Sequence, residues 1–336
     1  MGKGLLRQSL PILLAIGLLW YVLKDIPLAD IGNQFRRADY RWLFLVGIEI
    51  GLYNVVRAAR WQLTLQALGY QASLFRATIA LLAGTMASLI IPGAGELTRC
   101  GTLQRTDGIP LAQGIGSVVA ERVIDLIMLI VLTGLTVLLE FKRVSQYISS
   151  SASPNAPQPD RSYLFLTGVV LIAIVVIGLY LIFRNESTRQ HKYVAKLHAI
   201  GSDLAKGFTS ILKLRHPVWF IGLTVISYLI IYLATYTLFF TSPYTANLPP
   251  TAPLSVIMAG SVGGLAVPTQ AGLGTYHYLV SRVLLLYGLP KDESVAMATF
   301  MHAVQTGFAL LFSSLSFLIV PVLIRQKNSQ INEPTV

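Results

Sequence analysis

Charged side chains inside apolar runs are where this chain can do chemistry, and they recur at helical spacing. In the run 112–139, Glu121 and Arg122 are followed by Asp125. Glu121 and Asp125 share a helix face, and Arg122 reaches Asp125 at i+3. In the run 42–64, Glu49, Tyr53 and Arg57 fall at i, i+4 and i+8, with Asn54 and Arg60 beside them. Glu96 and Arg99 sit one turn apart. Farther on come Tyr276, His277 and Arg282, then His302 and Gln305. Each Asp, Lys or Arg at the centre of a spanning helix costs about 2.5–3.5 kcal/mol on insertion scales, so such groups demand a partner or a ligand. Guanidinium groups suit phosphate, and carboxylates suit an amine or hold the arginines in place. Glu121, Arg122 and Asp125 read equally as an ion-pair cluster locking helices together. Arg57 and Arg60 read as headgroup contacts or as side chains reaching for the interface. A lone histidine in a helix bundle is more often a satisfied core residue than a ligand, and Arg282 reads as an anchor at the outer interface.

The elements that must carry these residues are membrane helices. Hydrophobic residues make up 54% of the chain and charged ones 12%, with a mean hydropathy of +0.63, against about 25% charged in soluble domains. Six runs are long enough to cross a bilayer, at 9–23, 42–64, 112–139, 163–183, 217–241 and 295–324, since about 20 apolar residues span the hydrocarbon. The first is short and leans on Trp20 and Tyr21 at the interface. It lacks a small-x-small cleavage site, so it reads as a retained helix rather than a leader.

Two apolar segments, 75–107 and 254–288, are interrupted. One break carries Pro92, Gly93 and Gly95, the other Pro268, Gly272 and Gly274, and each segment leads to a Gly-hydrophobic-Pro turn, Gly108-Ile109-Pro110 and Gly288-Leu289-Pro290. Paired interruptions of this kind mark the binding site of many transporters at the bilayer midplane. The backbone groups they free must face protein or a water-filled cavity. Both segments read as re-entrant helical hairpins.

The net charge of +11 fits cytoplasmic loops at anionic lipid better than nucleic acid, which the chain has no motif to bind. Seven basic residues crowd 184–216, and 242–253 has none. This places both termini in the cytoplasm, with Arg36, Arg37 and Arg41 as exceptions on the outside. The first hairpin then enters from the cytoplasm and the second from the opposite face, as inverted-topology repeats. The fold class is thus an all-α polytopic membrane protein of about six spanning helices and two re-entrant hairpins. Its parts are a first half (1–139), a Ser/Pro-rich outer linker (140–162), a second half (163–325) with a cytoplasmic amphipathic stretch (187–213), and a polar tail (326–336). The single Cys100 and the spacing of His191, His198 and His216 offer no metal site, and no cofactor is expected.

Three blocks carry a resemblance. Pro92-Gly93-Ala94-Gly95-Glu96-Leu97-Thr98-Arg99, Glu121-Arg122-x-x-Asp125 and Pro268-Thr269-Gln270-Ala271-Gly272-Leu273-Gly274 resemble the Pro-Gly-x-x-Gly-Glu-x-x-Arg, Glu-Arg-x-x-Asp and Pro-Thr-Pro-Gly-Gly-Leu-Gly elements of the lysylphosphatidylglycerol synthase transmembrane region and its stand-alone flippase-like members. The likeness runs over roughly 10–325. Where the family usually has a Glu and an Arg, this chain has His277 and His302. The paired replacement suggests that the two positions face each other. In fused members a soluble C-terminal domain makes aminoacylated lipid and the membrane part carries it across. The resemblance therefore implies lipid translocation rather than synthesis.

Together these readings predict a flippase or scramblase-like lipid transporter of the bacterial inner membrane. Its cargo would be an anionic or amino-modified phospholipid or a polyprenyl-phosphate-linked sugar, met by Arg57, Arg60, Glu96, Arg99, Glu121, Arg122, Asp125, Tyr276, His277 and His302. No Walker motif is present to couple ATP. The rival readings are a membrane-embedded headgroup transferase, a small-solute transporter of the same design, and a non-transporting partner of a synthase or glycosyltransferase. A homo-oligomer is compatible with any of them.

Overall fold

The computed structural model describes residues 28–143, 214, 216–266 and 269–332. The runs at 9–23 and 163–183, most of the 140–162 linker, the 187–213 stretch, Pro268 and the end of the tail lie outside them. Every regular element among the described residues is helical: α1 Leu28–Arg37, α2 Tyr40–Ala67, α3 Leu74–Ile90, α4 Ala94–Asp107, α5 Leu111–Leu139, α6 Pro217–Phe239, α7 Ala252–Ala266, a 3₁₀ turn Gln270–Gly272, α8 Thr275–Leu286 and α9 Lys291–Asn332. Four of them, α2, α5, α6 and α9, are long and apolar enough to cross a membrane, and they coincide with the four expected spans that fall within the described residues. Their outward faces carry exposed Phe44, Ile48, Ile130, Val131, Val225, Leu229, Phe317 and Leu318, a surface suited to lipid rather than water.

Local sequence sets the helix ends. The Asp39 carboxylate accepts from the Arg41 N–H at 2.9 Å and starts α2, and Ser73 caps α3 by accepting from Arg76 N–H at 3.2 Å. These contacts satisfy amides that have no intrahelical acceptor. Pro217 stands at the start of α6, where a missing N–H costs nothing. Both interrupted segments break where expected. Gly93 (φ 80°) precedes α4 and Gly274 (φ 81°) precedes α8. A side chain at either position would clash with its own backbone.

The helices pack as two compact units, Met1–Glu121 with Leu214–Val336, and Arg122–Lys213. In the first, α2 lies along α6, and α9 packs on α3 and α8. One apolar cluster joins Val46, Ile50, Leu238, Val256, Val280, Leu284 and Met301 around the second hairpin. Another joins Ala58, Trp61, Leu65, Ala77, Leu81, Cys100, Leu103 and Val118 around the first.

The two hairpins are placed differently along α9. At the mouth of the first, Arg76 Nη1 donates to Asp107 Oδ1 at 3.1 Å. Nearby, Lys327 Nζ, near the C-terminal end of α9, donates to the Gln104 carbonyl at 3.2 Å. At the mouth of the second, the Ser255 and Tyr287 hydroxyls meet at 2.9 Å, Tyr287 lying four residues before the start of α9. The broken tips meet α9 between its ends, the second in the first third of the helix and the first near its midpoint. His302 Nε2 lies 2.8 Å from the Ala271 carbonyl, and Ser313 Oγ contacts Met86 Sδ at 3.9 Å near the end of α3. In the second unit, α5 carries the Arg122–Asp125 pair, and the Arg143–Glu140 pair lies just past its end.

Candidate functional site

Three of the expected charged residues come together from three helices. Arg60 on α2, Arg99 on α4 and Glu121 on α5 form a buried triad. Arg99 Nη2 lies 3.0 Å from Glu121 Oε2 and Arg60 Nε lies 3.5 Å from Oε1, all three side chains being less than 5% exposed. Aromatic faces complete the enclosure. The Arg99 guanidinium sits 4.7 Å from the Trp61 ring and that of Arg60 5.8 Å from Phe220, within reach of cation–π attraction. Trp61 is itself fixed, its Nε1–H donating to Ser117 Oγ at 2.9 Å, which donates to the Gly114 carbonyl at 2.7 Å. Arg60 and Arg99, expected to meet cargo phosphate, are closed to it in this conformation. Nor does Arg60 reach for an interface. Trp61 and Phe220 were not singled out by the sequence, although an aromatic residue directly after Arg60 is a usable signal.

The remaining charged candidates are more open. Arg57 is half-buried over the Tyr53 ring at 5.4 Å. Glu96 is half-buried in the first turn of α4, three residues past Gly93. In the second unit Arg122 Nη1 lies 3.5 Å from Asp125 Oδ2, the i+3 contact expected from the spacing, with side chains 48% and 23% exposed. Pro92 and Gly93 are exposed, whereas Gly95 is buried against Gly84 and Ser88. Glu49 accepts from Thr237 Oγ1 at 3.1 Å across the α2–α6 contact.

A separate cluster forms around the second break. The His277 and His302 rings face each other with centroids 4.7 Å apart, and Tyr276 packs on His302 at 5.1 Å. The partners fix both tautomers. His277 Nδ1 accepts the Gly274 N–H at 3.3 Å, so the neutral ring carries its proton on Nε2. His302 Nε2 meets a carbonyl, which only accepts, so it too is the protonated nitrogen. These bonds, with Thr275 Oγ1 donating to the Gly272 carbonyl at 3.1 Å, satisfy backbone groups freed where the helix stops, as burial in lipid requires. Ala271 sits at φ 52°, a left-handed conformation that disfavours a side chain. No group of three or more His, Cys, Asp or Glu able to hold a metal occurs among the described residues.

Comparison with known proteins agrees with the helical arrangement. A family model described as the lysylphosphatidylglycerol synthase TM region matches residues 8–313. UPF0104 membrane protein MJ1595 of Methanocaldococcus jannaschii is 23% identical over 92% of this chain and 94% of its own length. UPF0104 membrane protein MJ1078 of the same organism is 25% identical over 69% of this chain and 93% of its own. No solved structure matches the chain.

Proposed function

The chain belongs to the lysylphosphatidylglycerol synthase transmembrane-region family, a multi-pass membrane protein, and from that premise we propose that it moves a lipid from one leaflet to the other. The observation that carries this reading is the pair of Gly-broken hairpins. Their mouths lie toward different ends of α9, and their tips meet it between those ends, at His302 and Ser313. Two half-spans entering from opposite faces form a polar break at the midplane, around which one half rocks against the other. The exposed first break at Ile91, Pro92 and Gly93 suits a water-filled cavity, and lipid could not solvate it.

Under this reading the residues divide by accessibility. Arg57 and Glu96 in the first unit, and Arg122 and Asp125 in the second, are open enough to meet a headgroup. Arg60, Arg99 and Glu121 hold α2, α4 and α5 together. Tyr276, His277 and His302 set the shape of the second tip. The cargo is a phospholipid or polyprenyl-phosphate-linked lipid. The protein works in a bacterial inner membrane with both termini in the cytoplasm, six spanning helices and no enzymatic step of its own. Reconstitution into liposomes with a panel of labelled lipids tests this. Wild-type protein transfers at least one of them between leaflets, and Glu96→Gln and Arg122→Ala slow that transfer. Equal rates in all three proteins would remove the headgroup assignment, and no transfer of any lipid would favour a scaffold for a synthase.

A further inference from the structure

Away from the triad and the histidine cluster, a cavity of about 250 Å³ opens where α1, the loop after α6 and the start of α9 meet. Its wall carries Asn33, Gln34 and Arg37 from α1, Tyr244 from the loop, and Asp292 and Glu293 from α9. Asp292 and Glu293 in the first turn of α9 favour the positive end of that helix, and this alone accounts for an acidic pair. It does not account for Gln34. That side chain is only 8% exposed. Its carboxamide oxygen accepts from Ser242 Oγ at 3.3 Å, and its amide N–H groups find no acceptor among the described residues. The amide nitrogen is not among the fully buried polar atoms that lack a partner, so it opens onto the cavity, where it can donate to water or to a ligand oxygen. Arg37 likewise closes on neither Asp292 nor Glu293, so a cation and two anions share one cavity without neutralising each other.

The surroundings indicate where the ligand comes from. Tyr40, 66% exposed, and Trp42, 38% exposed, begin α2 just beyond Arg37, and exposed Tyr and Trp of this kind sit at headgroup level in a bilayer. Arg37 is also one of the basic residues that run against the charge bias of the other loops, and a bound phosphate explains its presence there. The volume lies below the roughly 300–1,000 Å³ typical of sites for drug-sized ligands, which limits the occupant to a headgroup.

The geometry points to a recognition site for a zwitterionic amino-phosphodiester headgroup. Arg37 takes the phosphate, Asp292 and Glu293 take the ammonium, and Gln34 donates to an ester or hydroxyl oxygen. The site stands whether or not the chain transports lipid. Full-length protein in phosphatidylglycerol nanodiscs, which contain no amine, is titrated calorimetrically with glycerophosphoethanolamine and with glycerophosphoglycerol. The amine-bearing probe binds at least about tenfold more tightly. Glu293→Gln removes that preference, and Arg37→Ala weakens both probes. Melting temperatures of the same samples separate lost binding from lost folding. Replacing part of the phosphatidylglycerol with phosphatidylethanolamine weakens the soluble probe by competition. Equal binding of the two probes, binding of neither, or wild-type binding by folded Glu293→Gln overturns the site. Absence of competition overturns the membrane-lipid source and leaves a soluble zwitterion.

Discussion

Glu121 meets two guanidinium groups, each backed by an aromatic ring, so its loss would leave Arg60 and Arg99 as buried like charges. Removing one member of a buried ion pair costs roughly 3–5 kcal/mol, much of it the burial of an uncompensated charge. Glu121→Ala is therefore expected to destabilise the protein by about that amount. Asp125→Ala, whose partner Arg122 is half exposed, costs under about 1 kcal/mol. Thermal unfolding in detergent compares them, and similar shifts would contradict the buried triad. A second residue carries the opposite sign. Ala271 holds φ 52° where the family's element has a glycine, and a left-handed L-residue costs about 1–2 kcal/mol. Glycine loses roughly 0.5–1 kcal/mol more backbone entropy on folding, so Ala271→Gly gains up to about 1 kcal/mol, read as a raised melting temperature. An unchanged or lowered one would mean that the turn is held another way.

At the scale of elements, the first hairpin depends on how closely its two arms approach. A Cβ built on Gly84 would come within 2.6 Å of the Gly95 carbonyl oxygen, and one on Gly95 would collide with Ser88 Oγ, whereas Gly101 on the same hairpin has open space. Gly84→Ala is expected to cost about 1–3 kcal/mol by overpacking. Gly101→Ala gains up to about 1 kcal/mol from helix propensity. The same melting assay reads both, and a tolerated Gly84→Ala would mean the arms separate freely. The elements themselves were legible in the sequence, because long apolar runs and Gly/Pro breaks are local signals. Four of the expected spans and both interruptions appear at the expected places. The pairing across helices was less legible. Residues 60, 99 and 121 meet only because α2, α4 and α5 have particular rotations about their axes, and the pattern of a nearly all-apolar helix such as α5 does not specify rotation. Local spacing did give Arg122–Asp125, and the paired histidine replacement did give the His277–His302 contact. The Arg37 cavity was foreshadowed only by basic residues in a segment where the charge bias disfavours them.

At the scale of the whole molecule, the orientation of the two hairpins determines whether a mechanism of alternating access is available. Packing in the first unit ties the first mouth to Lys327 and leads the second directly into the start of α9. A helix of 42 residues, about 63 Å long, exceeds the roughly 30 Å of hydrocarbon, and under the proposed topology it crosses the bilayer so that its two ends emerge on different sides. On that topology the mouths open to different sides as well. Cysteine labelling puts this to a direct test, because the one native thiol, Cys100, is 1% exposed and stays silent to a bulky charged reagent. Arg105→Cys lies at the first mouth and Lys291→Cys at the second, both at exposed positions. In intact cells a membrane-impermeant maleimide is expected to modify Lys291→Cys, whereas Arg105→Cys reacts only after the membrane is opened. Modification of both from the same side would place the hairpins in one leaflet. The two breaks would then lack the opposed entry that a lipid headgroup needs to cross between them.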